Sequence, residues 1–492
     1  MKNFKKQLLL MSFIGLTFVA CGDSSSTNNE LKDIISTNNL TGSPFRGIEM
    51  PKITDDKAQL GMHLFFSKSL GADRDSACVT CHHPMLGGGD NLSLPIGVGA
   101  EKPNLLGEGR LHSATATHYD AGPTVPRNAP TTFNLGAWKH SLFHDGRIER
   151  IPKAHGSIST PDSGFSVVDP LATDNLSSAQ SRFPITAPEE MKGFNHNDKN
   201  NQQIREYVAS RVGGYGEGKG ELKDTDYWLT KFRKALDKPA GTADELITEQ
   251  NIAMLLGEYE NSQVFDNTPW KEYIEGTNGA LSGDEKIGAL LFFNSIEEGG
   301  ANCASCHKGD FFSDEQFHNI AMLQMGRGKG DGLDKIEDFG RFRVTGNEQD
   351  KYLFRTPTLL NVEVTGPWGH DGGYTTLENM VKHHLNAKEA INSYDETQLS
   401  QEGIQNLNSM EENTLKALVK LEKDRESKDV VLRDVNLSDV EVKQLVSFLK
   451  TLTDPCVKDE TCLQKWVPIL NADPNGDQLD AVDLEGNILG LN

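Results

Sequence analysis

Two short phrases restrict this chain more than anything else in it. Cys78-Val79-Thr80-Cys81-His82 sets two thiols three residues apart with an imidazole directly after, and Cys303-Ala304-Ser305-Cys306-His307 repeats the pattern in the second half. Thiols at that spacing can add across the two vinyl groups of a haem while the histidine ligates its iron. A zinc knuckle or a redox dithiol would need a second thiol pair nearby or a thioredoxin-like βαβ setting, and neither phrase has one. With seven cysteines and 14 histidines among 492 residues, two accidental copies are not credible. The sequence predicts two covalent c-type haems on Cys78, Cys81, Cys303 and Cys306, with His82 and His307 as proximal iron ligands.

The other three cysteines point to export. A basic start (Lys2, Lys5, Lys6) and an apolar run from Leu8 to Ala20 lead to Cys21. That run is too short to span a bilayer and reads as a leader over residues 1–20. It is similar to a bacterial lipoprotein signal, which would make Cys21 the lipidated first residue of a periplasmic protein, anchored by lipid alone and facing the periplasm from the outer membrane. The polar run Gly22–Asn39 then reads as part of a flexible tether over 21–50. In an oxidising compartment Cys456 and Cys462 are expected to pair as a disulfide. The formal charge of −22 excludes nucleic acid as a partner and suits encounter with a basic protein such as a small cytochrome.

Helical periodicity dominates and strand alternation is scarce, so the expected fold is mainly α and loop-rich. A helical pattern ending Leu60-Gly61-Met62-His63-Leu64-Phe65-Phe66 precedes the first haem phrase. Ile287-Gly288-Ala289-Leu290-Leu291-Phe292-Phe293 precedes the second, behind a capping box of Ser282 and Glu285. The repeat predicts two cytochrome c-like haem domains related by internal duplication, over 51–275 and 276–455, followed by a disulfide-closed tail over 456–492. Further helical stretches are expected at Asn201–Leu236, Thr248–Glu260, Leu415–Lys423 and Asp439–Leu452. Gly326-Arg327-Gly328-Lys329-Gly330 has no preceding strand and reads as a loop. The acidic run Asp473, Asn475, Asp477, Asp480 has its glycine at the fourth position and reads as a solvated turn.

Together with the phrases Pro126-Arg127-Asn128-Ala129-Pro130, Phe143-His144-Asp145-Gly146-Arg147 and Phe354-Arg355-Thr356-Pro357-Thr358, the haem motifs resemble the bacterial diheme cytochrome c peroxidase/MauG superfamily over residues of about 50–455. Gly328-Lys329-Gly330-Asp331-Gly332, Asp338-Phe339-Gly340-Arg341, Trp368-Gly369-His370-Asp371-Gly372 and Asp454-Pro455-Cys456 look most like its MbnH-type branch. The resemblance implies a peroxide-dependent oxidoreductase that forms a high-valent haem at the N-terminal site. The other haem would store or relay the second oxidising equivalent. It places Gln180 and Glu190 above the open face of the first haem, with Glu190 as proton carrier and Pro184 packing over the ring. It also implies a calcium ion held by Asn128, Thr365 and Pro367 between the domains.

The sequence departs from the family in two places. Where members that need reductive activation carry a blocking histidine, this chain has Val98 in Ile96-Gly97-Val98, so the first site should be open without activation. His112 and His118, in the insertion that follows, are the residues that could still block it. The inter-haem tryptophan is replaced by His144, with Trp138 as a poorer substitute. For the second iron, a helix capped by Thr375 or Thr376 would run through Leu377, Met380, Val381, His383 and His384. At about 100° per residue His384 falls within about 20° of Leu377, on the face shared by Met380 and Val381. His384 is therefore the expected sixth ligand opposite His307, with Met380 as rival. Electrons would come from an aromatic residue of a periplasmic partner protein, or from a small cytochrome in a detoxifying peroxidase. A third reading is a diheme cytochrome that only transfers electrons.

Overall fold

The computed structural model describes residues 24–152, 157–427 and 432–490. The leader and Cys21 lie outside them. Helices of eight or more residues are numbered here in chain order. Ser24–Thr37 forms α1, and Asp56–Phe65 forms α2. Asn201–Gly213 is α3, Asp226–Ala235 is α4, Glu249–Asn261 is α5, and Gly283–Phe293 is α6. Leu377–Leu385 is α7, Leu407–Glu426 is α8, and Asp439–Lys450 is α9.

Among the described residues, strands are confined to two small antiparallel sheets. Ser141–Leu142 pairs with Ile148–Arg150, which pairs with Ile158–Ser159. Phe317–His318 pairs with Phe354–Arg355. Each strand is only two or three residues long, and the first sheet adds Leu142, Ile148 and Ile158 to the core, so the fold is mainly α, as the periodicity indicates.

Two crossings carry the two haem phrases, and both are made at a glycine. A Cβ on Gly61 of α2 would sit 2.0 Å from Leu255 O of α5, and one on Gly288 of α6 would sit 1.9 Å from Gln444 O of α9. Only hydrogen at these positions lets the backbones meet. One apolar core gathers α2, α3, α4 and α5 around Phe65, Trp228 and Tyr259. A second gathers α6, α7 and α9 around Phe292, Phe312 and Phe448. The Ser282–Glu285 capping box forms as the sequence indicates.

The chain ends cross over between these cores. The expected tether is instead α1, whose Leu31 is fully buried, with Ile34 and Ile35 packed against the second core. Apolar residues at i, i+3 and i+4 gave this polar stretch one buried stripe, which composition alone conceals. Just beyond, the backbone N–H groups of Thr41 and Gly42 donate to Asp310 at 2.8 Å. At the other end, the Cys456–Cys462 disulfide forms, and the tail then packs on the first core. Tyr259 Oη donates to Trp466 O at 2.8 Å, and Leu479 N donates to Phe66 O at 2.8 Å.

Two further expectations change. Asn201–Leu236 divides into α3 and α4, because Gly214 ends α3 with a positive φ of 67°. The acidic turn is buried, not solvated: Asp477 bonds Arg74 at 2.6 Å and Ser69 at 2.5 Å, and Asn475 Oδ1 accepts from Asp224 N. It stitches the tail to the first core.

Candidate haem sites and the cavity that joins them

One cavity of about 720 Å³ is lined by both attachment phrases. At its first end, the turn after α2 presents Cys78, Cys81 and His82. His82 Nδ1 lies 3.2 Å from Gly88 O, so an N–H there leaves Nε2 facing the cavity. At the second end, after α6, His307 Nδ1 lies 3.1 Å from Phe312 O. None of these four cysteines is in a disulfide. Burial drives Cys78 far up and Cys303 up to about 12, so neither would persist as a thiolate. A donor set of two half-buried thiols with a tethered imidazole fits a covalent haem at each end. Arg355, whose buried Nη1 has no partner and which lines the cavity, adds a cation suited to a haem carboxylate.

Gln180, Pro184 and Glu190 line the same cavity as Cys78, Cys81 and His82. Glu190 stands in a short wide-turn helix, Pro188–Lys192. Ser76, two residues before Cys78, donates its Oγ to Glu190 O at 3.0 Å, and Cys78 Sγ lies 3.9 Å from Met191 Sδ. The acid is thus held beside the first attachment site. Burial raises the Glu190 carboxyl above the ordinary range, against the pull of Arg147, and the neighbouring Glu189 adds to the rise.

His384 and His307 face one another with ring centroids 6.1 Å apart. An iron bonded to both Nε2 atoms would require about 6 Å, given Fe–N bonds of about 2 Å. Thr376 supplies the cap of α7, and His384 Nδ1 bonds Met380 O at 3.0 Å, turning Nε2 to the cavity. Burial keeps His384 neutral, and with His384 beside it lowers His307 to about 4, which leaves both imidazoles in ligand form. His383 is a satisfied core residue between Tyr374 Oη and Ile320 O, both at 2.8 Å. Met380 also lines the cavity, and packs toward the cluster of Met322, Leu323 and Met325.

Val98 is buried and not among the cavity-lining residues. Neither His112 nor His118 reaches the cavity: His112 packs on Tyr119 and His118 on Phe194. His144 lines the cavity between the two ends, its Nε2 bonded to Asn128 O at 3.0 Å, and burial lowers it to about 4. Trp138 also lines the cavity, but the Arg355 guanidinium sits 3.4 Å over its ring. A cation on that face raises the cost of removing an electron from the indole. Asn128, Thr365 and Pro367 share the cavity wall, and the Asn128 amide donates to Leu92 O and Ser93 O.

Sequence reasoning missed the joint between the halves. Arg127 takes Asp338 bidentately at 2.6 and 2.8 Å and Asp145 at 2.6 Å, all three buried. Arg341 donates to Asp145 O and Gly146 O and pairs with Glu149. Both arginines belong to quoted phrases, but partners two hundred residues away leave no mark in local periodicity.

The comparisons with known proteins fit this geometry. Residues 55–279 match the family model described as di-haem cytochrome c peroxidase. The chain is 26% identical over 340 residues to the methylamine utilization protein MauG of Methylorubrum extorquens, covering 68% of this chain and 70% of that one. It is 26% identical over 327 residues to the cytochrome c551 peroxidase of Nitrosomonas europaea, covering 66% and 72%. Among solved structures, a MauG-like protein associated with microbial copper homeostasis shares the fold at a TM-score of 0.54 and 19% identity, over 85% of this chain and 96% of that one. The diheme peroxidase BthA of Burkholderia thailandensis does so at 0.50 and 18%, over 86% and 89%. With two attachment phrases on one cavity and these relatives, the chain is similar to the bacterial diheme cytochrome c peroxidase/MauG superfamily.

Proposed function

We propose that the chain is an oxidase of the MbnH-like branch, which meets peroxide at the Cys78–His82 site and draws electrons from an aromatic side chain, tryptophan first, of a periplasmic partner protein. The observation that carries this is Glu190: a half-buried carboxyl on the cavity wall beside the first attachment phrase, its proton affinity raised by burial. The bound haems supply the two-electron redox chemistry. Glu190 would carry the proton from one peroxide oxygen to the other, which suits cleavage of the bond between them at a bound haem. Gln180 orients the peroxide, and Pro184 keeps the ring edge dry. His384 and His307 would together hold the second haem's iron, supported by the 6.1 Å ring separation and by the packing of Met380 toward its own cluster. Two histidine ligands lower a haem potential relative to methionine, which suits a site that stores an oxidising equivalent.

The branch reading rests on the Gly-rich, Asp-Phe-Gly-Arg and Trp-Gly-His-Asp-Gly phrases and on Val98. A detoxifying peroxidase fed by a small cytochrome is the second reading, favoured by the equal identity to the cytochrome c551 peroxidase. Incubation with peroxide and candidate periplasmic proteins, followed by mass spectrometry, separates the two. Oxygen added to a partner tryptophan supports the oxidase, and cytochrome turnover without it supports the peroxidase. Peroxide turnover unchanged in Glu190→Gln would remove Glu190 from either reaction.

The same reading covers several features of the chain. The glycine-centred crossings at Gly61 and Gly288 support internal duplication, with haem domains over 51–275 and 276–455. Asn128, Thr365 and Pro367 would hold a calcium ion in the shared wall. Lipidation of Cys21 would anchor the protein in the periplasm, close to the membrane, because α1 begins at Ser24.

A further inference from the structure

The insertion between Val98 and Pro126 contains an arginine whose side chain bonds only backbone. Arg110 is 2% exposed. Its Nε donates to Ile96 O at 2.7 Å and its Nη2 to Gly97 O at 3.0 Å, while Nη1 donates to Leu105 O at 2.8 Å and Pro103 O at 3.0 Å. Burial disfavours its charge, opposed in part through space by Asp90 and Asp75, each with one buried carboxylate oxygen lacking a partner. Asp75 also accepts Gly99 N at 2.8 Å.

What Arg110 grips lies directly beneath the acid. A Cβ on Gly97 would be 2.4 Å from Glu189 O, 2.6 Å from Glu190 O and 2.9 Å from Glu190 Cα. Thr124, from the far end of the same insertion, accepts Gly97 N at 2.9 Å and donates to Glu189 O at 3.0 Å. Val98 N also reaches Glu189 O, at 3.4 Å.

We propose that Arg110 is a positioning residue for Glu190: it fixes Ile96–Val98 as a rigid bed against the Glu189–Glu190 backbone, so the acid is in place without a prior conformational step. This rests on the reading of Glu190 as the proton carrier. A free loop under a two-residue acid segment would leave the carboxyl to sample several positions, and misplacement by about 1 Å can cost on the order of 10²-fold in rate. Four backbone acceptors satisfied by one planar donor group remove that freedom.

The test uses the diheme holoprotein and two variants, Arg110→Gln and the gentler Thr124→Val, which deletes the Gly97–Glu189 link without touching a buried charge. Hydrogen exchange of peptides spanning 94–99 and 187–193 is read beside the stopped-flow rate of the oxidised protein with peroxide and its pH profile. The expected result for both variants is faster exchange in both peptides, at least a tenfold slower peroxide reaction, and a pH midpoint moved toward that of an ordinary carboxyl, with the second haem's spectrum unchanged. Faster exchange at 94–99 alone, with the peroxide rate and pH midpoint as in wild type, would overturn the proposal. Should Glu190→Gln react normally while both variants still loosen 187–193, the proton-carrier reading fails and the clamp remains as a structural fact, so the two failures are distinguishable.

Discussion

At both attachment phrases a helix ending in paired phenylalanines delivers two thiols and a histidine whose Nδ1 is tied to a backbone carbonyl. Beyond that the two ends of the cavity diverge. Beside the first phrase the chain supplies the Glu190 carboxyl, with Gln180 and Pro184 on the same cavity wall; beside His307 it supplies a second imidazole. The difference lies in what each half adds between the two helices of its pair. The first half adds the insertion and the Glu189–Glu190 turn, with Gly97 pressed against it. The second adds α7, whose cap at Thr376 sets the rotation that turns His384 inward. Two similar helix crossings therefore lead to one end that carries an acid and one that carries a second imidazole.

The joint between the ends is ionic. Arg127, from the first half, holds Asp145 and Asp338, and burial, which pushes both carboxyls up, is overcome by the arginine, leaving them well below the ordinary range. His144 and His370 lie close to this network and are kept neutral by burial. His370 stacks on Phe354 with centroids 3.7 Å apart.

The largest expected effect falls on the first site. Glu190→Gln should slow the peroxide reaction by about 10²–10⁴-fold, the usual worth of a positioned proton carrier, and leave the second haem's spectrum intact. His384→Ala should do the reverse: the low-spin signal of the second haem is lost or changed, and its potential rises by on the order of 100 mV, within the ~0.8 V that axial ligands span. Redox titration checks it, and an unchanged potential would remove His384 as ligand. Gly97→Ala forces a methyl into the Glu190 backbone and should cost about 1–3 kcal/mol in denaturant unfolding, with peroxide reactivity reduced at the first site only. A smaller effect is expected from pH. Asp338 titrates below its unfolded value, so its ionised form contributes stability that is fully present above about pH 4 and is lost as pH falls through the depressed folded value. Asp338→Asn should therefore lower Tm at neutral pH and flatten the acid limb of the stability curve; an unchanged acid limb would contradict the role given to Arg127.

Much of this was legible in the sequence because its signals are local. The CxxCH spacing, the Ser282–Glu285 box and the place of His384 on its helix are decided within a few residues, and the helix rotation that turns His384 inward is the one periodicity gives. The tether over 21–50 was misread because composition averages away the stripe of Leu31, Ile34 and Ile35. The acidic turn was misread because Asp477 is held by Arg74 and Ser69, some four hundred residues earlier in the chain, and Asn475 by the backbone of Asp224. Arg110 could be seen but not interpreted, since its partners are carbonyls and carry no side-chain signature.

The contrast between the two ends is tested most directly by low-temperature EPR of the oxidised diheme protein, recorded with its near-infrared spectrum. The account predicts one high-spin haem, lost on adding peroxide, and one low-spin haem with a bis-histidine signature and no methionine–iron charge-transfer band. Two low-spin haems in the oxidised protein, or a methionine band that survives in His384→Ala, would contradict it.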